Sequence, residues 1–266
     1  MRTFHERYIG GEFEQVWDEM CSLGSDVREP TYFDDVTAVA RETMRRVRLN
    51  CEMLIPRLQS LGWRFGYEWA STSDWAQKDI ARHPPLLSEP TSTVTLDNIE
   101  ARIGLLPVSL RAFYEIVGAI NFVGTPFDRP NWPGVVDGLD PLYVAGVEQG
   151  FERMQDTHGQ EPCSTHSGDA FEYPLPVRVE VAPDFLQKYF ISGVGSEYIE
   201  IPSENADVTL MFEDGPLQIG GKDLTFVRNL RFAMHGGGFL AFMPGSVWNV
   251  RPDDDLAFLT DGLRPI

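Results

Sequence analysis

The chain has 266 residues and carries 40 Asp+Glu against 22 Lys+Arg, a formal net charge of -18. A hydrophobic content of 42% is enough to bury a core, which excludes global disorder. The acidic balance excludes a phosphate-neutralising nucleic-acid binder, because that work needs a surplus of Lys and Arg.

Residues 1–14 hold no apolar signal segment, and no run approaches the ~18 apolar residues of a spanning helix, so no membrane partner is expected. Cys21, Cys51 and Cys163 are odd in number and far apart. They read as reduced thiols of a cytoplasmic protein rather than a disulfide framework.

A helical leader comes first. Val36, Ala40, Met44, Val47, Cys51, Leu54, Leu58 and Leu61 recur at steps of three and four, which predicts one apolar stripe along an α-helix. Arg41, Glu42, Arg45, Arg46 and Arg48 fall on its other faces. Pro56 has no N–H for the Glu52 carbonyl, so a kink or short break is expected there. The aromatic alternation Trp63, Phe65, Tyr67, Trp69 predicts a strand or extended arm covering the stripe. Residues 71–95, rich in Ser, Thr and Pro, read as a linker or surface excursion. The division drawn is residues 1–90, helical extension and linker, and residues 91–266, a second domain.

That second part opens on a helix expected to be capped by Asp97, with Glu100 reaching back three residues later. Gly104 supplies its left-handed end, and Pro107 starts a second helix buried through Leu110, Phe113, Tyr114 and Val117. Leu142–Val144 reads as a short strand. Val177, Val179 and Val181 alternate with Arg178 and Glu180, a strand with one wet face. Two more strands are expected over 198–201 and 208–212. Helical spacing returns over 224–235 through Phe226, Val227, Leu230 and Met234, and Gly236–Gly238 ends it. Strands grouped between helices predict an α+β fold with a mostly antiparallel sheet flanked by helices.

Glu100, Ile103-Gly104, Leu106-Pro107, Leu110, Phe113 and Asn121 resemble the opening motif of the SUKH superfamily, the Smi/Knr-like proteins that include many bacterial immunity proteins. The order continues with Asp140-Pro141-Leu142, Ala182-Pro183-Asp184, Lys188, Ser192-Gly193, Tyr198, Ile201-Pro202 and Asp207. It closes on Phe226-Val227, Leu230-Arg231 and Gly237-Gly238-Phe239. Val194 stands where the family has the second glycine of Ser-Gly-Gly. The resemblance spans about 97–242. It implies a compact α+β module without a catalytic centre that binds other proteins, most often as an immunity protein against a toxin.

Charge is unevenly spread. Residues 1–90 hold 15 acids and 11 bases, and residues 91–266 hold 25 acids and 11 bases. Between Lys188 and Lys222 no base occurs, while Glu197, Glu200, Glu204, Asp207, Glu213 and Asp214 do. These six are the candidate partner-binding residues, and the expected partner is a basic toxin domain, such as a nuclease, captured by electrostatic steering. A general scaffold or regulator of a host protein is the alternative.

His158, Cys163 and His166, with Asp169 nearby, form H-x4-C-x2-H, a donor set zinc accepts but at the spacing of no common zinc module. No metal, cofactor or catalytic residue is therefore assigned, and a metal-dependent hydrolase stands third. The sequence specifies no oligomeric state.

Overall fold

The computed structural model describes residues 2–65, 86–125, 141–147, 177–182, 197–212, 215–219, 221–242 and 253–266. The aromatic run beyond Phe65, most of the linker, and His158, Cys163, His166 and Asp169 lie outside the described residues.

The leader is built from α1 (Phe4–Ile9), α2 (Phe13–Ser22), a 3-10 turn (Gly24–Arg28) and α3 (Phe33–Leu61). Thr3 and Glu6 form a capping box on α1, and the Asp35 carboxylate accepts from the N–H groups of Phe4 and His5. Every residue of the expected α3 stripe is buried. The helix runs through Pro56 as one element, because Cys51 and Leu54 before it and Leu58 and Leu61 after it enter the same core. Burial on both sides outweighs the one missing donor. Gly62, at φ 97°, ends the helix in the left-handed region.

The first helix of the second part begins earlier than the sequence suggests. Helix α4 spans Thr93–Ile103, and its N-cap is Ser92, whose hydroxyl accepts from the Thr95 N–H at 3.2 Å. Asp97 lies inside the helix, and its carboxylate goes to Arg111 of the next helix instead. Gly104 ends α4 at φ 93°, as expected. A Cβ there would lie 2.5 Å from the Cβ of Pro202. Gly104→Ala should therefore cost about 2–4 kcal/mol, from left-handed strain plus overpacking, read by urea denaturation. A loss below ~0.5 kcal/mol would show that the turn relaxes freely.

Helix α5 (Val108–Ile116) follows, with Pro107 at its cap. Its first N–H groups are satisfied from afar: Val108 donates to the Asn205 carbonyl at 3.1 Å and Ser109 to that of Ala206 at 2.9 Å. Helix α6 (Phe226–His235) is capped by Thr225, and α7 spans Asp253–Thr260.

All strand pairs among the described residues are antiparallel. β1 (Arg64–Phe65) pairs with β3 (Gly124–Thr125), and β2 (Ile120–Asn121) with β4 (Tyr143–Val144). A four-stranded sheet has the order β5 (Val177–Ala182), β6 (Glu197–Ile201), β7 (Met211–Phe212), β8 (Gly215–Pro216). β9 (Gln218–Ile219) and β10 (Lys222–Asp223) form a separate hairpin. The expected strand over 208–212 is thus shortened to its last two residues. Thr209 instead bridges Thr225, and the Leu210 N–H donates to the Leu224 carbonyl. In the β5–β6 register Val179 faces Ile199, both buried, and Arg178 faces Glu200 on the wet side. The protein is α+β.

One hydrophobic core runs from Tyr8 and Val16 through the α3 stripe to Phe113, Ile199, Phe226, Leu259 and Ile266. Helix α3 packs on α5, α6 and α7. The boundary drawn near residue 90 is therefore not a boundary in packing, since the leader supplies the long helix on which the rest is laid.

The polar faces of α3 do similar work. Arg48 donates to the Ile116 carbonyl at 3.1 Å, and Arg57 to the Leu259 and Asp261 carbonyls at 2.8 and 2.6 Å, which answers helix-end acceptors. Buried Asn50 grips Arg264 through both backbone groups, at 2.8 Å each. Arg46 stacks on the rings of Tyr8 and Phe13 and donates to the Pro265 carbonyl.

Candidate partner-binding surface

Glu100, Gly104, Leu106, Pro107, Pro202 and Asp207 meet at one junction. Glu100 accepts from the Leu106 N–H at 3.0 Å and pairs with Arg111, which also holds Asp97 and, at 3.1 Å, Glu115. From the leader, Arg28 donates to the Leu106 carbonyl at 2.5 Å and to the Glu204 carbonyl at 3.1 Å. The Gly-x-Leu-Pro turn is thus fastened from both sides, and it carries the 202–207 segment against it through Pro202 on Gly104 and Asn205–Ala206 on the start of α5.

Asp207 closes this junction. Its carboxylate accepts from the Ser109 hydroxyl at 2.7 Å and from the Val227 N–H at 3.1 Å, with Thr225 and the Val208 N–H adding to it. One carboxylate therefore joins the first turns of α5 and α6. The side chain is 6% exposed. Burial pushes its carboxyl above the usual carboxylate range, and the four hydrogen bonds pull the other way.

The six candidate residues separate accordingly. Asp207 is a structural tie, not a contact for a partner, because its oxygens are already spent inside the fold. Glu197 is 3% exposed on β6 and is likewise withdrawn from the surface. Period-two reasoning missed this: Glu197 sits where β6 begins and where the β5 register shifts between Glu180 and Ala182. Glu200 is half-buried and paired with Arg178 at 3.7 Å. Glu204 is exposed, with its backbone held by Arg28. Glu213 and Asp214 lie outside the described residues.

The fold adds acidic residues that the charge count had assigned to the leader. Asp26 and Glu29 are both exposed and flank Arg28, the residue that reaches Glu204. Through Arg28 the leader segment that carries these two acids touches the backbone of Glu204 in the second part, a juxtaposition that no local signal in the sequence marks.

Among the described residues no group of three or more His, Cys, Asp or Glu is placed to hold a metal ion. Cys21 is exposed and Cys51 buried, and both are free thiols. No described helix is long and apolar enough to cross a membrane. Comparison of the chain with known protein families, curated proteins and solved structures finds no match.

Proposed function

We propose that the chain is a non-enzymatic protein-binding module of the immunity type, which neutralises a basic bacterial toxin domain by stoichiometric binding. The observation that carries this reading is the charge distribution: 25 acids against 11 bases over residues 91–266, with none of those bases between Lys188 and Lys222. Like charges crowded in this way cost folding stability through self-repulsion, and they speed the capture of a basic partner. The ordered SUKH-like motifs point the same way. The contact residues proposed are Glu204 and Glu200, with Glu213 and Asp214 along the chain and Asp26 and Glu29 from the leader. A nuclease is the proposed toxin class, because its nucleic-acid surface is basic.

Co-expression with the toxin-like product encoded beside it should restore growth and yield a one-to-one complex. Neither rescue nor complex would overturn the reading. In that complex, Glu204→Lys with Glu200→Lys should slow association about tenfold at low salt while changing dissociation less. The difference should close as salt approaches ~1 M, where the Debye length is about 3 Å. Equal association rates in variant and wild type would remove these two residues from the interface.

A further inference from the structure

Helix α6 carries an arginine whose hydrogen bonding is half complete. Arg231 is 9% exposed. Its Nε donates to the oxygen of Ile266 at 2.7 Å. Its Nη2 is buried and has no partner. In a guanidinium the Nε–H and the Nη2–H lie on one edge and run parallel, the fork that matches the two oxygens of one carboxylate. One tine is filled and the other is not. Glu14 and Asp18 of α2, both exposed, and buried Asp207 balance part of its charge without bonding to that nitrogen.

The same side chain lines a cavity of about 310 Å³ between α6 and the 260–266 segment. Met234, Leu263 and Ile266 give it apolar walls, and His235 and Arg264, both exposed, stand with Arg231 around it. Two arginines and a histidine around one apolar cavity run against the sign of the whole molecule, whose net charge is -18.

We infer that Arg231 is the receptor for a carboxylate at the 260–266 segment, one oxygen of which takes Nη2 beside the residue 266 oxygen already on Nε, with His235 and Arg264 at the rim of the cavity. Two sources can supply that group: the α-carboxylate of residue 266 where it is free, and a small apolar acid from solution. A phosphate fits less well, because the fork offers two coplanar donors and the walls are apolar.

The test uses the full chain in two forms, ending at Ile266 or continued by Gly-Ser, which turns the residue 266 carboxylate into an amide. Each is melted in chloride, acetate or benzoate at equal ionic strength. If residue 266 is the source, the continued chain melts several degrees lower, and the acids leave the form ending at Ile266 unchanged. If a free acid is the ligand, acetate or benzoate raises the melting temperature of that form saturably. In both cases Arg231→Lys, which keeps the charge and loses the fork, abolishes the response. Should that variant not fold, the ¹⁵N spectrum of the wild-type Arg231 side chain supplies the readout: a carboxylate on the fork gives slowed Nη rotation and a downfield Nε–H. Equal melting of both forms, no response to either acid and freely rotating Nη groups would together overturn the inference.

Discussion

Replacing Asp207 by alanine should lower the unfolding free energy by about 3–5 kcal/mol, the range seen when one member of a buried charged network is removed. The magnitude follows from what is left behind. Ser109, Thr225, Val208 and Val227 all direct donors at this carboxylate, and each buried donor without an acceptor costs about 1–3 kcal/mol. Urea denaturation checks this, and a loss under ~1 kcal/mol would mean that the junction re-forms around water. Asp207→Asn should cost less, since one acceptor oxygen remains. Its pH dependence has a definite sign. The folded carboxyl is pushed up by burial, so the folded chain holds the proton more tightly than the unfolded chain does. The Asp207 contribution is then fully present below the unfolded value of about 3.9 and is lost as pH rises through the folded value. Wild type should lose stability relative to Asp207→Asn over that window. An opposite slope would show that the hydrogen bonds outweigh desolvation.

A chain that starts at residue 91 should not fold. The second part, taken alone, carries its motif order over about 97–242 and reads from sequence as an independent domain, but its core is completed by the leader. Val36, Ala40, Met44, Val47, Cys51, Leu54 and Leu58 are all wholly buried, and α3 packs on α5, α6 and α7. Full burial of one Val, Leu or Met side chain is worth about 1.5–3 kcal/mol. Removing such a stripe takes more than the roughly 5–15 kcal/mol by which a domain is stable. The truncated chain should lack cooperative thermal unfolding and give a narrowly dispersed amide spectrum. A cooperative transition from residues 91–266 alone would restore the two-domain division. Leu54→Ala in the full chain is the milder form of the same test, with an expected loss of about 2–5 kcal/mol.

Together the two results would locate the weight of the structure. Glu100, Gly104, Ser109 and Asp207 hold helix ends and turns together, and the exposed Glu204 proposed as a contact lies beside that junction. A partner that reads Glu204 would also meet Arg28 and its neighbours, because the Glu204 backbone rests on that arginine. The leader is therefore part of the binding face proposed, and truncation would remove both the fold and two of the six proposed contact residues, Asp26 and Glu29.

The α3 stripe, the left-handed glycine at 104, the alternation along β5 and the buried face of α6 could all be read from the amino-acid order. Each is a local matter: the period of a helix or strand and the steric freedom of glycine act over a few residues. Helix starts were less legible where a distant residue competes. Asp97 and Glu100 have the spacing of a cap, but Arg111 of the next helix draws both carboxylates, and Ser92 starts the helix behind the β-branched run Thr93-Val94-Thr95. Helices α1, α2 and α7 are short and were not resolved from their sequence.

Which acids face water was decided only by tertiary structure. Glu204 and Asp207 are three residues apart in one charge run, yet one is exposed and the other is the buried acceptor for two helices. Their environments come from Arg28, Ser109 and Val227, which lie up to 176 residues away along the chain. Composition set the sign of the molecule's field, and local periodicity set its elements. The partners of each buried polar group depend on contacts between segments far apart in sequence, and no local pattern encodes them.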